Sequence, residues 1–174
     1  MSVDAKARFK ITTVSPRSLS GVNSQPTIRI ARRTDAEILQ SLYRQLVNDE
    51  NVKVTECRVE ALAKDPNTHL LVYAIDGHVR GTVLVCLCAD AMYAEQPFAV
   101  VENLVVDQEC RGYGIGQALL REVERFCLLR NCSKMILLSS ASRINAHRFF
   151  ERVSFRGKRK RGFVKYRSQF SEAT

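Results

Sequence analysis

The sequence predicts an α/β protein built around one mixed sheet. Three observations carry this. Apolar runs at residues 69–75, 79–88, 98–106 and 134–139 have the length of strands and end in turn residues. Between and around them lie segments whose apolar residues recur at helical spacing. A hairpin-rich first half then feeds a β–loop–α–β–α–β second half, the order that yields a mixed sheet.

The elements follow in order. Residues 1–25 have no clear period and read as a flexible N-terminal arm, which leaves 26–174 as a single domain. Residues 27–31 alternate and form the first strand. Thr34 and Glu37 have the spacing of a capping box. A helix over 35–47 then presents Ile38, Leu39, Leu42, Leu46 and Val47 on one face. A shorter helix at 55–63 ends at Asp65-Pro66. The strands 69–75 and 79–88 flank Asp76-Gly77, a two-residue hairpin signal. Strand 98–106 is apolar except for Glu102 and Asn103, and a carboxylate is costly in such a place. Helix 114–130 sets Ile115, Leu119, Val123, Phe126 and Cys127 towards the core. A strand at 134–139, a helix at 142–152 and a last strand at 163–167 complete the chain.

Composition bounds the rest. A chain of 174 residues with 45% hydrophobic and 26% charged residues can bury a sizeable core as one domain. It has no apolar stretch long enough to span a membrane and no secretory h-region, so a cytoplasmic protein is expected. The net charge of +9 is local. Residues 1–142 hold 17 Lys/Arg against 16 Asp/Glu, whereas 143–167 hold 10 against 1. That stretch suits a polyanionic partner: nucleic acid, a membrane surface or a phosphate-bearing cofactor. The six cysteines lack zinc-site spacing and read as reduced thiols, so no metal is expected.

The informative stretch is residues 100–120. An apolar strand runs into a glycine-punctuated loop, and the loop opens a helix, where free N–H groups and the helix dipole favour an anion. A P-loop requires GxxxxGK[ST], which is absent. The dinucleotide fingerprint also fails, because its sixth position falls on Gln117 or Leu119. Three alternate glycines are an entropically expensive way to make a plain turn. Arg111-x-x-Gly114-x-Gly116 instead resembles the Q/R-x-x-G-x-G/A signature of the GCN5-related N-acetyltransferases. The preceding 101–107 is similar to the central strand of that superfamily. The later 146–155 is similar to its A-x-x-F-Y-x-x-x-G-F segment. The resemblance covers residues 26–167.

The resemblance implies a central mixed sheet of six to seven strands flanked by about four helices. It implies acetyl-CoA as cosubstrate and a small-molecule amine as acceptor, attacking the thioester directly. The central strand would splay from its neighbour at a bulge and offer the backbone of Leu104, Val105 and Val106 to the pantetheine arm. The N–H of Leu104 would face the acetyl oxygen. Arg111, with the backbone of Gly112, Tyr113, Gly114, Ile115, Gly116 and Gln117, would hold the pyrophosphate. Asn145 and Phe149 would lie on the cofactor side, and Arg143 and Arg148 near the nucleotide phosphates. An alkylammonium must lose a proton before it attacks, and Glu102 is the candidate base.

The chain departs from the family pattern at three places. Phe150 replaces the Tyr that protonates the departing thiolate. Ser154 replaces a Gly. Arg143 stands where an Asn is frequent, with Asn145 two positions on. A thiol pKa of about 8.5 makes unassisted departure feasible. The acidic loop 48–51 suits a cationic acceptor. The alternatives are a CoA-binding sensor with weak catalysis, or a basic nucleic-acid-binding protein acting through 156–161. Neither a membrane nor nucleic acid is the expected partner, and a homodimer is open.

Overall fold

The computed structural model describes residues 12–13 and 26–171. Among these, six strands form one sheet in chain order. β1 (Thr12–Thr13) is two residues long and pairs with Ile28 and Thr27. β2 (Thr27–Ile30), β3 (Thr68–Ile75), β4 (His78–Cys88) and β5 (Phe98–Val106) continue antiparallel, and β6 (Met135–Leu137) closes the sheet parallel to β5. The helices are α1 (Ala36–Val47), α2 (Glu56–Lys64), α3 (Ile115–Leu129) and α4 (Ile144–Arg152). The mixed sheet and four helices agree with the expected class, at the lower end of the expected strand number. Apart from Thr12 and Thr13, which are paired rather than free, the proposed arm lies outside the described residues.

The chain divides into two compact units, one up to Leu137 and one from Leu138. In the first, α1 and α2 cover one sheet face. Leu39, Leu42 and Val59 are fully buried there against Leu70, Val72, Ala74 and Val105. α3 covers the other face, with Ile115, Leu119, Val123, Phe126 and Cys127 all buried, as their spacing predicts. β5 and β6 run parallel because α3 carries the chain back between them. Asp76 and Gly77 both take positive φ (50° and 81°), the type I′ geometry that the hairpin signal implies. Thr55 caps α2 by accepting the Arg58 N–H at 3.2 Å.

Three local expectations are corrected. The capping box does not form at Thr34, which lies in a 3-10 turn (Arg33–Asp35) ahead of α1. Asp35 takes over instead. Its buried carboxylate accepts the Arg32 N–H at 2.7 Å and a two-pronged Arg29 guanidinium at 2.7 and 3.0 Å. Burial opposes ionisation of Asp35, but the Arg29 guanidinium and the Arg32 N–H outweigh it and hold the carboxyl below its usual range. Val47 is 53% exposed rather than part of the α1 core face. The strand at 163–167 is absent, and a 3-10 turn (Arg167–Gln169) begins within it. Phe163 and Tyr166 are exposed, and strand-prone residues need a partner ladder to become a strand.

Candidate active site

The site grows out of β5. On one side β5 pairs with β4 along its whole length. On the other it pairs with β6 at Ala99, Val100 and Val101 only. Among the described residues, no strand lies beside that side of β5 from Glu102 onward. The β4–β5 register also slips here. Thr82 faces Val105 while Leu84 faces Glu102, so Val83 is opposed by both Asn103 and Leu104. This is a β-bulge, and Asn103 takes the positive φ (53°) that a short amide side chain tolerates. The expected bulge is therefore present, beside the expected opening.

Beyond the bulge the Asp107 N–H donates to the Arg80 carbonyl at 2.9 Å. Alternation along an antiparallel strand then turns the peptide groups of Val106 the other way, towards the open side. The Arg111 Nε donates to the Val106 carbonyl at 3.2 Å, which ties the loop to that edge. Asp107, buried and 3.3 Å from Arg80 Nη1, accepts the Glu109 N–H and starts the short turn that leads into the loop.

The loop's glycines are needed for backbone conformation. Gly112 (φ 89°) and Gly114 (φ 83°) sit in the left-handed region, and a Cβ on either would meet no other atom within 4 Å. Gly114 caps α3, whose first ladder bond is Ala118 N–H to the Gly114 carbonyl at 2.9 Å. The N–H groups of Ile115, Gly116 and Gln117 thus have no intrahelical acceptor, an arrangement able to cradle an anion. Tyr113 is exposed.

Glu102 lies opposite Leu84, which packs into the α1–α2 core, so its side chain is on that face of the sheet. It is half-buried and has no ion-pair partner among the described residues. Burial pushes its carboxyl above the usual range. The unit up to Leu137 therefore brings together Glu102, the bulge at Leu104, Val105 and Val106, Arg111, and the cradle from Gly112 to Gln117. Asn145 and Phe149 belong to the unit from Leu138, as part of α4. There Phe150 packs against Phe149 and Phe155 at ring separations of 5.4 and 6.0 Å. Ser154 takes φ 73°, a conformation that favours the glycine whose place it holds.

Two supporting residues were missed at the sequence level. Gly81 of β4 lies under the start of α3. A Cβ there would be 3.0 Å from Ile115 Cγ2 and 3.1 Å from the Val105 carbonyl oxygen. A glycine inside an apolar strand was the available signal. Tyr43 of α1 hydrogen-bonds Thr82, whose Oγ1 donates to the Leu71 carbonyl at 2.8 Å. Burial pushes the Tyr43 phenol up to about 12.

Comparison with known proteins places the fold. The chain is 33% identical to the N-acetylaspartate synthetase of Rattus norvegicus over 93 residues, which is 53% of this chain and 29% of that protein. It thus spans under a third of the length of that relative. Glucosamine-6-phosphate N-acetyltransferase from Arabidopsis thaliana superposes with a TM-score of 0.69 at 21% identity, covering 82% of this chain and 98% of that one. An aminoglycoside N-acetyltransferase solved in complex with CoA superposes at 0.71 with 18% identity, covering 86% and 99%. These two likenesses concern the fold. The Acetyltransferase (GNAT) family profile matches residues 36–155, from the start of α1 past the end of α4, and on that match the chain belongs to the GNAT acetyltransferase family.

Proposed function

We propose that this chain transfers the acetyl group of acetyl-CoA to the primary amine of a small molecule, with Glu102 as the general base. The observation that carries this is that β5 combines a bulge, an edge with no strand beside it among the described residues and a carboxylate with no ion-pair partner among them, and leads directly into the free N–H groups at the start of α3. The superposed aminoglycoside enzyme holds CoA on the same fold, which supports the cosubstrate.

The chain's own groups suffice for each step. The cradle N–H groups at the start of α3 and the Arg111 guanidinium receive the pyrophosphate of acetyl-CoA. The exposed peptide edge of β5 orients the pantetheine arm. Glu102 takes a proton from the ammonium form of the acceptor, directly or through one water. The neutral amine then attacks the thioester carbon while the Leu104 N–H faces the developing oxyanion. The C–S bond breaks, the nitrogen sheds its second proton to water, and CoA leaves as thiolate, since Phe150 stands where the family pattern has a proton-donating Tyr. A thiol pKa of about 8.5 makes that departure tolerable.

Acetyl-CoA at one hundred times its dissociation constant should stabilise the protein by about 2.7 kcal/mol, and so raise its melting temperature by several degrees. Gly114→Asp should remove this shift by placing a carboxylate against the pyrophosphate. Thermal denaturation with and without acetyl-CoA checks binding, and thiol release across an amine panel checks transfer. A shift that survives in Gly114→Asp would reject the cradle.

A further inference from the structure

This inference rests on the acetyltransferase reading and concerns the body of the acceptor. One row of side chains crosses the sheet on the α1–α2 face. Thr68 of β3 lies opposite Cys86 of β4, Cys86 opposite Val100 of β5, and Val100 opposite Ile136 of β6. All four are partly open to solvent, Ile136 to 40%. At the same level on the α3 face, Val85 and Val101 are 0% and 2% exposed. The sheet is therefore sealed on one side and only partly covered on the other. Cys88 and Phe98, also paired and half-buried, extend the uncovered strip by a further row.

The strip ends at Glu102. In the adjoining row Leu70 is buried beneath the helices, Leu84 is half-covered, and Glu102 sits at the open end. The floor is thus made of thiols, a phenyl ring, branched alkyl groups and one hydroxyl, with charges only at its borders: Glu102 at the helix-covered end, Asp65 near Cys86, and the Lys134 ammonium 4.8 Å from the Phe98 ring centroid at the far end. An amino-sugar or a small amino-dicarboxylate held at Glu102 and laid over the Cys86–Val100–Ile136 row would lose water from its polar groups with almost nothing there to replace it, because Lys134 lies at Phe98, four residues or about 13 Å along β5 from Glu102. An ammonium at Glu102 with an apolar body over Val100 and Cys86 satisfies both halves of the surface. From β4 to β6 the row spans about 10 Å, room for an alkyl chain or a phenyl ring.

We propose that the acceptor is a primary amine carried on an apolar chain or ring, held with its nitrogen at Glu102 and its body across the Cys86–Val100–Ile136 row. The test uses the full chain with acetyl-CoA and reads thiol release. The acceptors are n-alkylamines from butyl to octyl, phenethylamine, aspartate and glucosamine 6-phosphate. The expected result is a kcat/KM that rises about two- to fourfold per added methylene. Val100→Thr, equal in shape but bearing a hydroxyl, should flatten that slope while calorimetric affinity for CoA holds. Cys86→Ser should act the same way and guards against a folding defect in the first variant.

A flat slope, or preference for aspartate or glucosamine 6-phosphate, would overturn the apolar acceptor and leave the acetyltransferase reading standing. CoA binding without acetylation of any amine would overturn the acceptor proposal together with the catalytic part of that reading. Loss of CoA binding as well would overturn both entirely. A dimer in sedimentation that Ile136→Glu dissolves, combined with a flat slope, would assign the strip to a second copy of the chain and overturn the proposal.

Discussion

Glu102 shows how far single residues can be read. Its position was legible because a carboxylate inside an apolar run has to be explained. Its isolation was not legible, since the absence of an ion-pair partner depends on what the fold brings near. The base assignment makes a signed prediction. Burial raises the carboxyl, so the base loses its proton above the ordinary carboxylate range, and activity should fall as pH drops through that raised value. Glu102→Gln should remove this acid limb and lower turnover by about 10²- to 10⁴-fold, with CoA affinity unchanged. A pH–rate profile of both proteins checks it, and an acid limb that persists in the variant would remove Glu102 as the base. The neighbouring Asn103 was the overlooked signal. An Asn inside a strand is one of the few residues that accept the left-handed conformation the bulge demands.

At the scale of elements, the periodic segments were recovered with small changes at their ends, because buried faces impose their spacing on the sequence. Helix α3 is the clearest case, with all five expected core residues buried. Failures came where an element depends on something outside itself. The Thr34 cap lost to Asp35, which Arg29 of β2 holds from another element. The strand at 163–167 needed a ladder partner that local propensity could not specify. Gly81 belongs to the same class, since its reason lies in α3 rather than in β4. Gly81→Ala should press on Ile115 Cγ2 and on the Val105 carbonyl together. The expected cost is about 1–3 kcal/mol of stability, with acetyl-CoA affinity reduced several-fold as the first turn of α3 shifts. Urea denaturation and calorimetry measure the two separately. Full affinity in a destabilised variant would show that the loop does not depend on this contact.

For the molecule as a whole, the charge distribution was legible and its meaning only partly so. The basic excess of residues 143–167 falls entirely in the unit from Leu138, whereas the cradle and Glu102 belong to the unit before it. The free N–H groups at the start of α3 and the Arg111 guanidinium thus belong to the unit that lacks the basic excess. No helix among the described residues is long and apolar enough to cross a membrane. The short pairing of β6 has a consequence for motion. The two walls of the opening beside β5 are unequal. β5 is anchored by a nine-residue strand between two packed faces, while β6 is held by three register pairs at the edge of the sheet. Local opening is cheapest where ladder bonds are few, so the amides of Met135, Ile136 and Leu137 should exchange with deuterium well before those of β3 and β4. Hydrogen exchange read by mass spectrometry checks this order. An entering ligand would then displace the β6 wall while the strand carrying Glu102 stays in place.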